Sequence, residues 1–137
     1  MPYAGDVSPQ RAYELLAREP DAVLVDVRTR AEWTYVGVPD LSRLGKEVVR
    51  VEGEHYPDGS PNSAFLDELS AIGVDPDATV LFLCRSGVRS AAAAETASRA
   101  GFTRAYNVSE GFEGPLDPDG HRGARGWRAA GLPWRQS

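Results

Sequence analysis

The chain has 137 residues, 42% of them hydrophobic and 26% charged, and a formal net charge of −5. That is room for one ordinary globular domain with its own core, taken here as residues 1–137, and the composition is that of a soluble protein. The acidic balance argues against nucleic acid as a partner, since no basic stripe is offered, and no apolar run approaches the ~20 residues of a membrane span.

The first residues, Met1 to Asp6, show no basic cluster followed by an apolar run, so no signal peptide is visible and a cytoplasmic location is expected. Ser8 and Pro9 open a helix as N-cap and first helical residue. Ala12, Leu15 and Leu16 form its apolar face, and Pro20 ends it. Ala22 to Val27 is a short continuous apolar run, the pattern of a strand buried on both faces. Thr29 to Trp33 suits a short helical turn. Val36 to Gly45 reads as irregular, Glu47 to Glu52 as a strand, and Gly53 to Asn62 as a loop. Asn62 is expected to cap a helix through Phe65, Leu66, Leu69 and Ile72, stopped by Gly73.

Thr79 to Leu83 is the clearest strand. It runs into Cys84-Arg85-Ser86-Gly87-Val88-Arg89-Ser90, after which an Ala-rich helix is expected from about Ser90 to Ala100. Arg104 to Val108 makes the next strand, Glu110 to Gly126 is mostly loop, and Trp127 to Ala130 is expected to be a short helix before Gly131-Leu132-Pro133. Strands alternating with helices predict an α/β fold with a mainly parallel sheet.

Cys84 is the one cysteine. Alone it excludes an internal disulfide, a Cys-rich zinc site and a Cys-x-x-Cys redox motif. His55 and His121 sit far apart in Gly-rich polar stretches, read as loop residues, and no metal site is expected. Cys84 itself lies where a buried strand gives way to a Gly-containing loop and a helix. Ligand sites in parallel sheets cluster at such strand ends. Backbone N–H groups of the loop and the next helix N-terminus can converge there on an anion. Gly87 permits backbone angles closed to other residues. Arg85 and Arg89 add two permanent charges, which favour the nucleophilic thiolate. An inert core cysteine also follows runs such as Val80 to Leu83, but an inert site needs no Arg-x-Gly-x-Arg cradle.

The segment Cys84 to Ser90 resembles the active-site loop of rhodanese-like sulfurtransferases. Val25-Asp26-Val27-Arg28 with Glu32-Trp33 resembles the family's Asp-x-Arg and Glu-aromatic segment. Gly126 to Pro133 resembles its C-terminal Trp-x-x-Ala-Gly-Leu-Pro signature. The resemblance implies a three-layer fold with helices flanking a mainly parallel sheet. It implies that Cys84 takes a sulfane sulfur from a small anionic donor such as thiosulfate and passes it to cyanide, a thiol or a protein acceptor, without a cofactor. Arg85, Ser86, Gly87, Val88, Arg89 and Ser90 would then hold the persulfide and the donor, with Asp26 and Arg28 orienting neighbouring loops. Two departures stand out. Val36 to Leu41 lacks the family's usual His, and the stretches 41–62 and 115–125 are longer than the minimal pattern.

Two rivals remain beside this reading. Phosphatases and arsenate reductases on related folds use Cys-x5-Arg, whereas four residues separate Cys84 from Arg89 and the required position holds Ser90. A non-enzymatic binding module is the other, although such domains usually lack the cysteine.

Overall fold

The structure, a computed structural model, describes residues 2–55 and 58–136. Residues 1 and 137, and residues 56 and 57 of the expected 53–62 loop, lie outside that range. In chain order the elements are β1 (Gly5–Val7), α1 (Pro9–Arg18), β2 (Val23–Asp26), α2 (Arg30–Tyr35), β3 (Val38–Pro39), β4 (Val49–Arg50), α3 (Phe65–Ile72), β5 (Val80–Leu83), α4 (Val88–Arg99), β6 (Ala105–Val108) and β7 (Trp134–Arg135). The main sheet runs β1-β6-β5-β2-β4, and every neighbouring pair is parallel.

Successive side chains of the central strands serve opposite faces. Leu24, Leu81 and Leu83 pack with Ala12 and Leu16 of α1 and with Trp127. Val25 and Phe82 pack with Phe65 and Leu69 of α3 and with Ala93, Ala94 and Ala97 of α4. The sheet is therefore the middle of three layers, as the uninterrupted apolar runs require. Each fully buried Leu, Val or Phe is worth about 1.5–3 kcal/mol over exposure, so the two central strands anchor the domain.

Local signals explain most boundaries. Ser8 Oγ accepts the Arg11 N–H at 3.1 Å, with Pro9 at the first helical position. Thr29 and Glu32 form a reciprocal capping box on α2, the arrangement that satisfies two otherwise orphaned N–H groups. Other expectations need correction. Asn62 is not the α3 cap: its Oδ1 accepts the Ala64 N–H at 3.0 Å, and the helix starts at Phe65. The strand expected over 47–52 contracts to β4. The helix α4 starts at Val88, two residues ahead of Ser90. Trp127 to Ala130 is a single turn, closed by the Ala130 N–H on the Gly126 carbonyl at 2.9 Å, because Gly131 in a left-handed conformation ends it at once. Two short pairings had no signature: β1 lies parallel to β6 at the sheet edge, and β3 pairs antiparallel with β7. Among the described residues no helix is long and apolar enough to cross a membrane.

Candidate active site

Cys84 follows the last residue of β5 and is 1% exposed. The loop after it folds back so that the Gly87 N–H donates to Cys84 Sγ at 3.1 Å. Gly87 has φ of 104°, and a Cβ there would lie 2.1 Å from the Ser109 carbonyl oxygen. No other residue fits that turn. A second segment pins the loop from outside. The N–H groups of Phe112, Glu113 and Gly114 donate to the carbonyls of Cys84 (2.8 Å), Arg85 (3.0 Å) and Arg85 again (3.1 Å). The close approach needs Gly111, whose Cβ would meet the Arg85 carbonyl at 2.4 Å. Helix α4 starts directly behind Gly87 with no side chain capping it, which leaves its first N–H groups and its positive dipole end for an anion.

Ser90 and Asn107 complete the surroundings of the sulfur, and both are buried. Ser90 Oγ lies 3.1 Å from Cys84 Sγ and 2.6 Å from Asn107 Oδ1. Asn107 Nδ2 donates to Asp6 Oδ1 at 3.0 Å. Parallel pairing of β1 with β6 places Asp6 opposite Asn107.

The two loop arginines are placed differently. Arg89 turns to α2 and grips Glu32 with both ends of its fork, at 2.7 and 2.8 Å. Burial pushes the Glu32 carboxyl up, but the Arg89 hydrogen bond, the Thr29 N–H and nearby guanidinium charges outweigh it and hold it below its ordinary value. Reciprocally, the Glu32 hydrogen bond raises Arg89 against the effect of burial. Arg85 is exposed, and its guanidinium has no hydrogen bond or ion pair among the described residues.

Asp26 and Arg28 are both fully buried and paired, Nε to Oδ1 at 2.9 Å and Nη2 to Oδ2 at 2.7 Å. Arg28 also donates to the Gly37 carbonyl at 2.7 Å and lies 4.3 Å over the Phe112 ring. One guanidinium thus ties the end of β2 to the Gly37 turn and to the segment that pins the cysteine loop.

Above the sulfur opens a cleft of about 860 Å³. Cys84, Arg85, Ser86, Val88 and Arg89 line it. The long 41–62 stretch contributes Glu54 and His55, and the 115–125 stretch contributes Arg122. The structure therefore gathers the whole Cys84 to Ser90 segment around one point and sets Asp26 and Arg28 behind it. His121 stays apart from the cleft lining, in a turn on Asp117. No cluster of three or more metal-ligating side chains occurs among the described residues. Sequence reasoning missed Asp6, Asn107, Gly111 and Phe112. Only the parallel β1–β6 pairing and the return of the chain after β6 bring them to the site, and no local spacing announces either.

Residues 4–137 match the family model described as STR4 middle domain. The chain is 34% identical over 133 residues to Rhodanese-like domain-containing protein 4, chloroplastic, of Arabidopsis thaliana, covering 95% of this chain and 25% of that protein. It is 34% identical over 109 residues to Thiosulfate sulfurtransferase GlpE of Glaesserella parasuis, covering 80% and 83% of the two chains. Among solved structures, Rv0390 from M. tuberculosis superimposes with a TM-score of 0.90 at 61% identity, over 98% of this chain and 99% of that one. The chain belongs to the rhodanese-like family of sulfurtransferase fold.

Proposed function

We propose that the protein moves a sulfane sulfur from a thiosulfate-like donor to a thiophilic acceptor through a persulfide on Cys84. The observation that carries this reading is the Gly87 N–H on Cys84 Sγ at 3.1 Å, in a loop whose geometry admits only glycine at that place. The Cys84 thiolate attacks the outer sulfur of thiosulfate. The S–S bond of the donor breaks, sulfite leaves with the electron pair, and Cys84 keeps the sulfur as a persulfide anion. An acceptor nucleophile such as cyanide then attacks that outer sulfur, the new S–S bond breaks, and the cysteine leaves as thiolate. No cofactor enters either step.

The loop N–H groups of Arg85 to Ser90 and the N-terminus of α4 offset the negative charge that both steps carry. Arg85, which has no hydrogen bond or ion pair among the described residues, and Arg122, which also lines the cleft, draw the dianion in. The role of Arg89 differs from that of Arg85, because its fork is occupied: it neutralises Glu32 and thereby keeps a carboxylate from facing the donor. Asp26 and Arg28 hold the two supporting loops in register. Cys84 is the one cysteine of the chain, so the persulfide has no resolving thiol to collapse onto and waits for an external thiol, cyanide or protein acceptor, with the cytoplasm as the working location.

Cys84→Ser tests this directly. The substitution is small enough to leave the fold intact and should abolish thiosulfate:cyanide sulfur transfer. Turnover by the serine variant at the wild-type rate overturns the assignment.

A further inference from the structure

We infer that Asp6 and Asn107 are positioning residues that fix the direction of the Ser90 hydroxyl and so set how readily Cys84 carries negative charge. The inference deepens the sulfur-transfer reading and rests on it for its consequence, though not for its test.

Hydrogen-bond direction fixes the orientation of each group in turn. The Asp6 carboxylate can only accept. Its Oδ1 receives the Tyr3 hydroxyl at 2.9 Å and Asn107 Nδ2 at 3.0 Å. Burial and the Asp6 bond raise the Tyr3 hydroxyl above its ordinary value, which keeps it a donor. With its nitrogen held toward β1, the Asn107 amide must present its oxygen toward α4. That oxygen takes the single hydroxyl hydrogen of Ser90, at 2.6 Å. A hydroxyl has no second hydrogen. Ser90 therefore turns a lone pair toward Cys84 Sγ, 3.1 Å away. A lone pair accepts the S–H of a thiol and repels a thiolate. The Gly87 N–H on the same sulfur does the opposite. Two groups thus act on Cys84 in opposite senses, and the chain from Tyr3 through Asp6, Asn107 and Ser90 sets the sense of one of them.

Packing alone does not call for this arrangement. The neighbouring inward positions of α4, at 93, 94 and 97, are all alanine. A buried serine and asparagine at 0% and 4% exposure are retained at a cost unless their polar atoms are paired. The pairing found here leads to an exposed carboxylate at one end and to the nucleophile at the other.

The test measures iodoacetamide alkylation of Cys84 from pH 5 to 10, a reaction that needs no sulfur donor. Asn107→Ala removes the acceptor that engages Ser90, so the hydroxyl turns to the thiolate. Asp6→Asn, at an exposed position, frees the amide to rotate without threatening the fold. The other charges around the cleft are the same in both variants: Glu32, Glu54, His55, Arg85, Arg89, Glu113 and Arg122. Alkylation at a fixed pH below the midpoint should accelerate about tenfold in Asn107→Ala, the worth of one hydrogen bond to a charged group, and by a smaller factor in Asp6→Asn. Both profiles should move to lower pH. In a Ser90→Ala background both shifts should vanish, which a merely structural or through-space effect of either residue would not produce. Unchanged profiles in Asn107→Ala and Asp6→Asn overturn the inference, as do equal shifts with and without the Ser90 hydroxyl. Thiosulfate:cyanide turnover of the wild type, measured beside them, reports separately on the sulfur-transfer reading.

Discussion

Arg89→Ala separates the two ways in which an arginine beside the cysteine can serve the reaction. The guanidinium makes two charge-assisted bonds to Glu32, at 2.7 and 2.8 Å, and the two side chains are 22% and 19% exposed. Charge-assisted bonds are worth about 1.5–3 kcal/mol each when enclosed. Solvent at the rim lowers that toward the value of surface pairs, so losing both is set at about 2 kcal/mol. For a chain of this size that corresponds to about 8 °C in Tm, at about 4 °C per kcal/mol. The kinetic effect comes from charge: the variant loses a cation and uncovers a carboxylate beside the path of a dianionic donor. A drop of about tenfold or more in kcat/KM for thiosulfate corresponds to about 1.4 kcal/mol of lost stabilisation. The assay is thiosulfate:cyanide kinetics with thermal denaturation for the wild type, Arg89→Ala, Glu32→Gln and the double variant. On the proposed role of Arg89, neutralising Glu32, the double variant should recover most of the transfer lost in Arg89→Ala. A double variant as slow as the single one would show that Arg89 meets the donor itself. An Arg89→Ala protein with unchanged Tm and kinetics would deny the Glu32–Arg89 pair any part in stability or in transfer.

Gly87→Ala should be severe, because a Cβ at φ of 104° falls 2.1 Å from the Ser109 carbonyl oxygen. Strain of ~1–3 kcal/mol from the backbone conformation alone is expected to lower Tm by several degrees. Displacement of the N–H from Cys84 should cut transfer by about a hundredfold, the usual cost of losing one pre-organised donor to an anionic centre; near-wild-type kinetics would mean that the loop does not cradle the sulfur. The Glu32–Arg89 pair also gives a pH signature. The Glu32 carboxyl is held below its ordinary 4.5 in the folded protein, so its contribution is full above that value and is lost as pH falls through the lowered folded one. Urea midpoints followed from pH 7 to 3 should fall more steeply for the wild type than for Glu32→Gln, and parallel curves would deny the pair any part in acid stability.

Much of this site was legible from the order of residues. Val80 to Leu83 announces a buried strand, and Gly87 a special turn after it. The fold class followed from the same alternation of apolar runs and helices. What could not be read was partnership at long range. The Arg89 fork looked available for a donor until α2 brought Glu32 against it across 57 positions. Asp6 and Asn107 lie 101 positions apart, and they meet through a three-residue edge strand too short to show a period. The β3–β7 ribbon escaped notice for the same reason, having two residues in each strand. The expected helix at Trp127 failed differently: its apolar and alanine content is helical, but the glycines at 126 and 131, both at positive φ, leave space for one turn only. The tryptophan is nonetheless fully buried and donates its ring N–H to the Pro133 carbonyl at 2.7 Å, fastening the C-terminal segment under the site.

Cys84 is proposed to carry the transferred sulfur. An intact-protein mass spectrum after incubation with thiosulfate, free of cyanide and thiols, shows whether it does. The spectrum should carry the mass of one added sulfur, mapped to Cys84 by peptide analysis, persisting until an acceptor is supplied and absent in Cys84→Ser. A wild-type protein that shows no added sulfur, or added sulfur that appears equally in the serine variant, would rule out Cys84 as the carrier.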